Sequence, residues 1–245
     1  MPVPVPAAPE AAKTDADSGT KDDSDTDSRM HGDIGMSYSR NRTAYVSYRF
    51  ATDIDLTRKQ PGQELLTEVH LLREDIQAQG QSSTTVSTDQ YDASLKLKRF
   101  YADEVYYLYG SPRIQYNRFD FYKTSQALRL GAGRRFKIEP MSLDLELGGG
   151  HRWAQGHDGA EISEALSTFT ARLEYNFSKS MYAKLNLVID RTSQEHNSLF
   201  TASLNSPLVG NLYMKYEMSY RRILPLDNTQ PSSETSYNFG LGYRL

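Results

Sequence analysis

Cysteine is absent from the 245 residues, tryptophan occurs once, and no run reaches the ~18–20 consecutive apolar residues a spanning helix needs. The first absence excludes a disulfide framework and thiolate chemistry. The third, with a mean hydropathy of −0.64, excludes a helical membrane protein. It does not exclude a membrane barrel, in which half of every strand faces inward and is free to be polar. A basic stripe is also lacking, so nucleic acid is not an expected partner. The opening "MPVPVPAAPEAAKTDADSG" has neither the basic start nor the apolar centre of a signal peptide. An exported protein of this sequence is expected to be a mature form.

Tyrosine is plentiful, at seventeen residues. It suits strands, and it suits a membrane–water interface, where the ring is buried and the hydroxyl stays wet. Charge is unevenly placed. Residues 1–30 hold seven acids against three bases in a Pro/Ala-rich and then Asp/Ser/Thr-rich stretch. Such a segment buries too little apolar surface to offset its ordering entropy. A disordered acidic arm is therefore expected over 1–30, with one folded unit over 31–245.

That unit reads as strands. Leu128, Leu130 and Ala132 alternate with Arg129, Gly131 and Gly133; Leu143, Leu145 and Leu147 alternate with Ser142, Asp144 and Glu146. The same two-residue period recurs in "AYVSYRF", "YDASLKLKRF", "STFTARLEYNF", "AKLNLVID", "LYMKYEMSYR" and the closing "YNFGLGYRL". Successive strand side chains point to opposite faces, so each segment has one apolar and one polar face. The runs are long, often ten residues or more, against about five or six for soluble strands. Tight connections ("FSKS", "FKIEP", "SPLVGN") alternate with longer polar ones ("AQGQSSTTVST", "GSPRIQYNRFDF", "AQGHDGAEIS", "LPLDNTQPSSETS"). Both features predict an all-β fold: an up-and-down antiparallel transmembrane barrel of about 12 strands. Residues 63–79, "QELLTEVHLLREDIQAQ", fit helical spacing as well as strand spacing. A strand there gives an even count, and strand is the expectation.

The run "FYADEVYYLYGSPRIQYNRFDFYKTSQALRLGAGRRF…MSLDLELGGGHRW" resembles the central part of the YdiY-like salt-induced outer-membrane protein family, a domain family of unknown function. The likeness extends through "LEYNFSKSMYAKLNL" to the end, over roughly 31–245. It implies an outer-membrane β-barrel of a Gram-negative envelope, porin-like in build, and carries no catalytic or binding residues over. The C-terminus is similar to the outer-membrane assembly signal, with Asn238, Gly240, Tyr243 and Leu245 in its positions, Leu245 standing where an aromatic is usual. That resemblance implies transient contact with the barrel-assembly machinery. Membrane lipids and lipopolysaccharide are the other expected partners, and any periplasmic partner of the acidic arm is unspecified.

With the apolar teeth in lipid, the polar teeth face the lumen: Arg49, Lys96, Lys98, Arg129, Arg135, Asp144, Glu146, Arg172, Glu174, Lys184, Asp190, Lys215, Glu217, Arg221 and Arg244. The set has a basic excess. One reading is a ladder of ion pairs that closes a narrow or side-chain-plugged structural barrel, and this is the leading expectation. The alternative is a small-solute pore with a mild anion preference, since rings of Arg and Lys favour anions. An outer-membrane hydrolase is the third class. His70, His151, His157 and His196 are available as bases, but none sits in a nucleophile motif, so no enzyme is expected. Neither a metal site nor a cofactor is expected: His151, His157 and Asp158 lack a ligand geometry. The tyrosines from Tyr101 to Tyr122, with Phe119 and Phe121, read as an interfacial girdle.

Overall fold

The computed structural model describes residues 30–42, 45–78, 84–118, 122–178, 180–226 and 230–245. The acidic arm predicted over 1–30 lies outside them except for Met30, as do Phe119 and Phe121. Twelve strands follow one another: β1 (Met30–Arg42), β2 (Tyr45–Gln60), β3 (Gln63–Ala78), β4 (Thr85–Tyr101), β5 (Tyr106–Asn117) and β6 (Tyr122–Ile138). Then come β7 (Met141–Gly156), β8 (Glu161–Asn176), β9 (Tyr182–Arg191), β10 (Glu195–Val209), β11 (Leu212–Pro225) and β12 (Ser232–Arg244). Each pairs antiparallel with the next, and β12 returns to β1, so the sheet is a closed barrel. Closure leaves the sheet without a free edge strand, the β1–β12 seam being joined from Asp33↔Arg244 to Ser37↔Gly240.

The strands run from 10 to 17 residues, at or beyond the ~9–11 a tilted strand needs to cross a bilayer. Of residues 63–79, the described ones, 63–78, form a strand. β3 registers with β2 from Gln60↔Gln63 to Tyr45↔Ala78 and with β4 from Gln63↔Arg99 onward. Only strand parity sends Glu64, Glu68 and His70 inward together.

The long connections expected from sequence are mostly strand. β5 continues through Asn117, β7 runs to Gly156, and β8 begins at Glu161. Polar residues there do not interrupt the ladder, because backbone N–H and C=O groups still require partners where the wall rises clear of lipid. The connections at the end holding both termini span only 61–62, 102–105, 139–140, 177–181 and 210–211.

Large apolar side chains lie on the outside, among them Leu95, Leu97, Leu108, Leu128, Leu130, Leu147, Leu185 and Leu241; Leu147 is 67% exposed. An apolar band with this much surface is stable only against lipid, where an Arg or Lys at the midplane would cost about 2–4 kcal/mol. Outward aromatics flank the band. Tyr101, Tyr106, Tyr175, Phe177 and Tyr243 lie toward the terminal end, and Tyr91, Trp153, Tyr220 and Tyr237 toward the other. Tyr107 and Tyr109 do not belong to this girdle, contrary to the sequence reading. They turn inward and are 1% and 5% exposed.

Candidate functional site: the charged lumen

The inward rings explain a set of glycines. Tyr107 registers with Gly133 and Tyr109 with Gly131. A Cβ at Gly133 would enter the Tyr107 ring, and one at Gly242 would enter the ring of Tyr213. Each glycine is a recess into which a tyrosine from a neighbouring strand folds flat against the wall. The rings thicken the lining at those points without reaching across the lumen.

A cavity of about 1350 Å³ occupies the interior. Its lining includes Gln60, Glu104, Pro140 and Ser178 at the terminal end, and Gln90, Arg152, Glu195 and Glu234 at the opposite end. The space therefore extends from one rim to the other. Of the charges predicted to face inward, Arg49, Lys96, Lys98, Arg129, Arg135, Asp144, Arg172, Glu174, Lys184, Asp190, Lys215, Glu217, Arg221 and Arg244 line it. Glu146 sits just behind this lining, 3% exposed and bonded to Lys96.

The predicted basic excess is corrected by the structure. Asp33, Asp53, Asp55, Glu64, Glu68 and Asp92, on β1 to β4, also line the cavity, and the acids in the lining equal the lysines and arginines in number. Extending the parity of "AYVSYRF" down β2 would have found Asp53 and Asp55. Glu64 and Glu68 were hidden by the helix–strand ambiguity of β3.

One group of charges is packed solid. Lys98 Nζ lies 2.7 Å from Asp144 Oδ2 and 3.2 Å from Glu146 Oε1. Lys96 Nζ lies 2.7 Å from Glu146 Oε2. Arg135 donates from Nε and Nη2 to Asp144, at 2.7 and 2.8 Å, and from Nη2 to Glu64 at 2.7 Å. The Tyr107 hydroxyl donates to Glu146 Oε1 at 3.0 Å. Lys98 is 1% exposed, so this is a desolvated network in which every member has opposite charge around it. A buried charge persists only under that condition.

Other pairs cross between strands that do not touch. Arg129 on β6 meets Asp190 on β9 at 2.6 Å. Lys215 on β11 meets Asp53 on β2 at 3.2 Å and its own neighbour Glu217 at 2.9 Å. Arg152 on β7 bonds Glu164 on β8 and reaches Glu195 on β10 at 2.6 Å. The longest reach is Arg172 on β8 to Glu68 on β3, at 3.0 Å. Across the β6–β7 hairpin, Arg135 bonds Asp144. Arg129 and Arg172 instead bond across the lumen.

The histidines are dispersed. His70 Nδ1 lies 2.9 Å from Asp53 Oδ1 inside the lumen. His151 lies on the outer face, with its Nε2 2.7 Å from Ser163 Oγ and its ring 4.6 Å from that of Trp153. Asp158 is engaged with the Ala160 amide. Among the described residues, no group of His, Asp and Glu side chains is arranged to hold a metal. The four residues resembling an assembly signal divide between faces. Asn238 lines the lumen, Gly240 lies against the Met36 backbone, and Tyr243 and Leu245 are half exposed. The Leu245 amide bonds Gly32 O and fastens the end of the chain to β1.

The sequence pattern of the family described as protein of unknown function, DUF481, matches residues 32–245. The chain belongs to that family. No curated protein matches it in sequence. Among solved structures it is similar to the translocator domain of the autotransporter NalP from Neisseria meningitidis, at 11% identity and a TM-score of 0.50, covering 88% of each chain. It is also similar to the NanC porin (8% identity, TM-score 0.49, 89% of this chain and 100% of that one). An outer-membrane channel from Pseudomonas putida F1 aligns at 11% identity and a TM-score of 0.49, over 88% of this chain and 93% of that one. The fold of this DUF481 chain is that of an outer-membrane β-barrel.

Proposed function

We propose that the protein is a passive pore for small hydrophilic solutes in the outer membrane of a Gram-negative bacterium, with little preference between cations and anions. The observation that carries this reading is a cavity lined by polar and charged side chains from one rim to the other. Sixteen-residue strands, at ~3.3 Å per residue and a tilt of ~40°, make a wall roughly 40 Å tall. Spread over that height, the cavity corresponds to a mean free cross-section of roughly 35 Å². Several waters pass abreast through such a space, while a helix ~10 Å wide does not. Solute conduction is therefore supported over polypeptide export. The balance of lining charge replaces the anion preference expected from sequence, because paired charges of both signs enrich neither ion.

In this reading the two termini lie in the periplasm, the outer face contacts lipid and lipopolysaccharide, and the barrel-assembly machinery is met only during insertion. The protein is not an enzyme. The charge pairs across the lumen favour a second reading, a closed envelope barrel in which those pairs serve only to brace the wall.

Single-channel recording of the refolded protein in a planar bilayer separates the two. The pore gives steady conductance with a reversal potential near zero in a potassium chloride gradient. Silence from protein verified as folded establishes the closed barrel instead.

A further inference from the structure

The cross-section of the lumen is not uniform in chemistry. The β4–β7 side is filled by the buried network around Lys98 and by the rings of Tyr107 and Tyr109. Arg172 and Glu68 span from β8 to β3 beside it. Unlike the network, this pair is wet, with side chains 28% and 33% exposed. Glu68 is also held by Ser94 Oγ at 3.2 Å. The pair forms a bar across the interior, its side chains partly exposed to the lumen.

On the far side of the bar the wall changes character. Arg172 registers with Asn186 on β9, Asn186 with Thr201 on β10, Thr201 with Ser219 on β11, and Ser219 with Ser236 on β12. Asn186, Thr201, Ser219 and Ser236 all line the cavity, and none ionises. Along β10 the inward face from Asn197 to Asn205 carries no charge. The Ser219 and Ser236 hydroxyls are 2.6 Å apart. Asn186 and Asn197 leave their side-chain carbonyl oxygens without a protein partner.

We propose that Arg172 and Glu68 form the crossbar that sets the size limit of this pore, and that the solutes it passes are uncharged and hydroxyl-rich, travelling along the neutral row on β9 to β12. The proposal rests on the pore reading above and names its substrate class. Amides and hydroxyls both donate and accept, so they exchange hydrogen bonds with a polyol or small sugar as readily as water does. An ion entering the same lane sheds hydration and finds a row of side chains that carries no charge to replace it. The class of solute follows from this wall, and the upper size from the bar.

The test is osmotic swelling of proteoliposomes carrying the full chain, with arabinose, glucose, sucrose and raffinose, and with gluconate and glucosamine as charged counterparts of glucose. Wild type should swell with the monosaccharides, and several-fold more slowly with both charged counterparts. The Arg172→Ser/Glu68→Ser double variant should admit the next larger sugar and raise single-channel conductance about twofold, in proportion to the section freed. Thr201→Asp, which leaves the bar intact, should slow glucose and shift ion selectivity toward cations. Equal rates for glucose, gluconate and glucosamine would overturn the solute class while leaving the pore standing. An unchanged size limit in the double variant would overturn the crossbar. Absence of both swelling and conductance, in wild type and double variant verified as folded, would overturn the pore reading itself.

Discussion

The wall from β3 to β7 and the wall from β8 to β12 enclose the same lumen with opposite treatments of charge. In the first, Lys98 is 1% exposed and its partners Asp144 and Glu146 are 7% and 3% exposed. Five strands, β3 to β7, are tied into one dry network. In the second, Arg172 and Lys184 are 28% and 38% exposed, and β10 shows no charge at all between Asn197 and Asn205. Water sets the difference. Lys98 depends on its partners, whereas Arg172 and Lys184 keep part of their hydration without them. One side of the barrel is packed solid around Lys98, and the other is where the proposed pore has its room.

The sharpest way to break this contrast is to remove the central cation of the dry wall. Lys98→Met leaves Asp144 and Glu146 buried around an apolar side chain, at a cost of about 3–5 kcal/mol. Urea unfolding of the barrel in lipid should show it, or the variant should fail to fold. The recess beneath Tyr107 comes next. Gly133→Ala drives a Cβ into the ring and should cost about 1–3 kcal/mol, as overpacking does. Pairing it with Tyr107→Leu should recover part of the loss, because the obstructing ring is gone. At the crossbar, which joins β8 of the second wall to β3 of the first, the Arg172→Ser/Glu68→Ser double variant should change stability by less than about 1 kcal/mol, since both side chains are partly exposed and both charges are removed together. A loss as large as that of Lys98→Met would show that the crossbar bears load like the buried network.

Much of this contrast was legible in the two-residue period. Leu128, Leu130, Leu143 and Leu147 announced a strand wall, and the partners of that period, such as Lys96, Lys98, Asp144 and Arg172, line or back the lumen. Parity fixes which face a residue takes. It does not fix which residue it meets, because strands three to five places apart in the barrel come together only after closure. Arg172 was placed in the lumen by its parity, but that its acid lies on β3 was not legible. Parity was ambiguous over β3, and on β2 the inward acids lie beyond the clear run of alternation although they keep its parity. The acids of both strands were missed, and with them the charge balance of the interior. Tyr107 and Tyr109 were misplaced because tyrosine serves lipid interface and polar lining equally well, and only the opposing glycines Gly133 and Gly131 distinguish the two.

The smallest effect lies outside the membrane, where neither wall's logic applies. Lys137 Nζ is 2.8 Å from Glu104 Oε2 in the turn between β4 and β5, with both side chains about half exposed. The hydrogen bond from Lys137 holds the Glu104 carboxyl below its ordinary 4.5. A carboxyl lowered on folding stabilises above its unfolded value and loses that contribution as the pH falls through its folded value. Solvent screening leaves it at no more than a few tenths of a kcal/mol. Lys137→Met should thus be marginally less stable than wild type at neutral pH, with the gap closing as the pH falls below 4.5. Unfolding midpoints of the two proteins across that range check it. A gap that widened in acid would mean that Lys137 acts through some group other than Glu104. A gap comparable to that of Lys98→Met would mean that this turn is part of the dry wall, and the division of the barrel into a rigid half and a wet half would have to be redrawn.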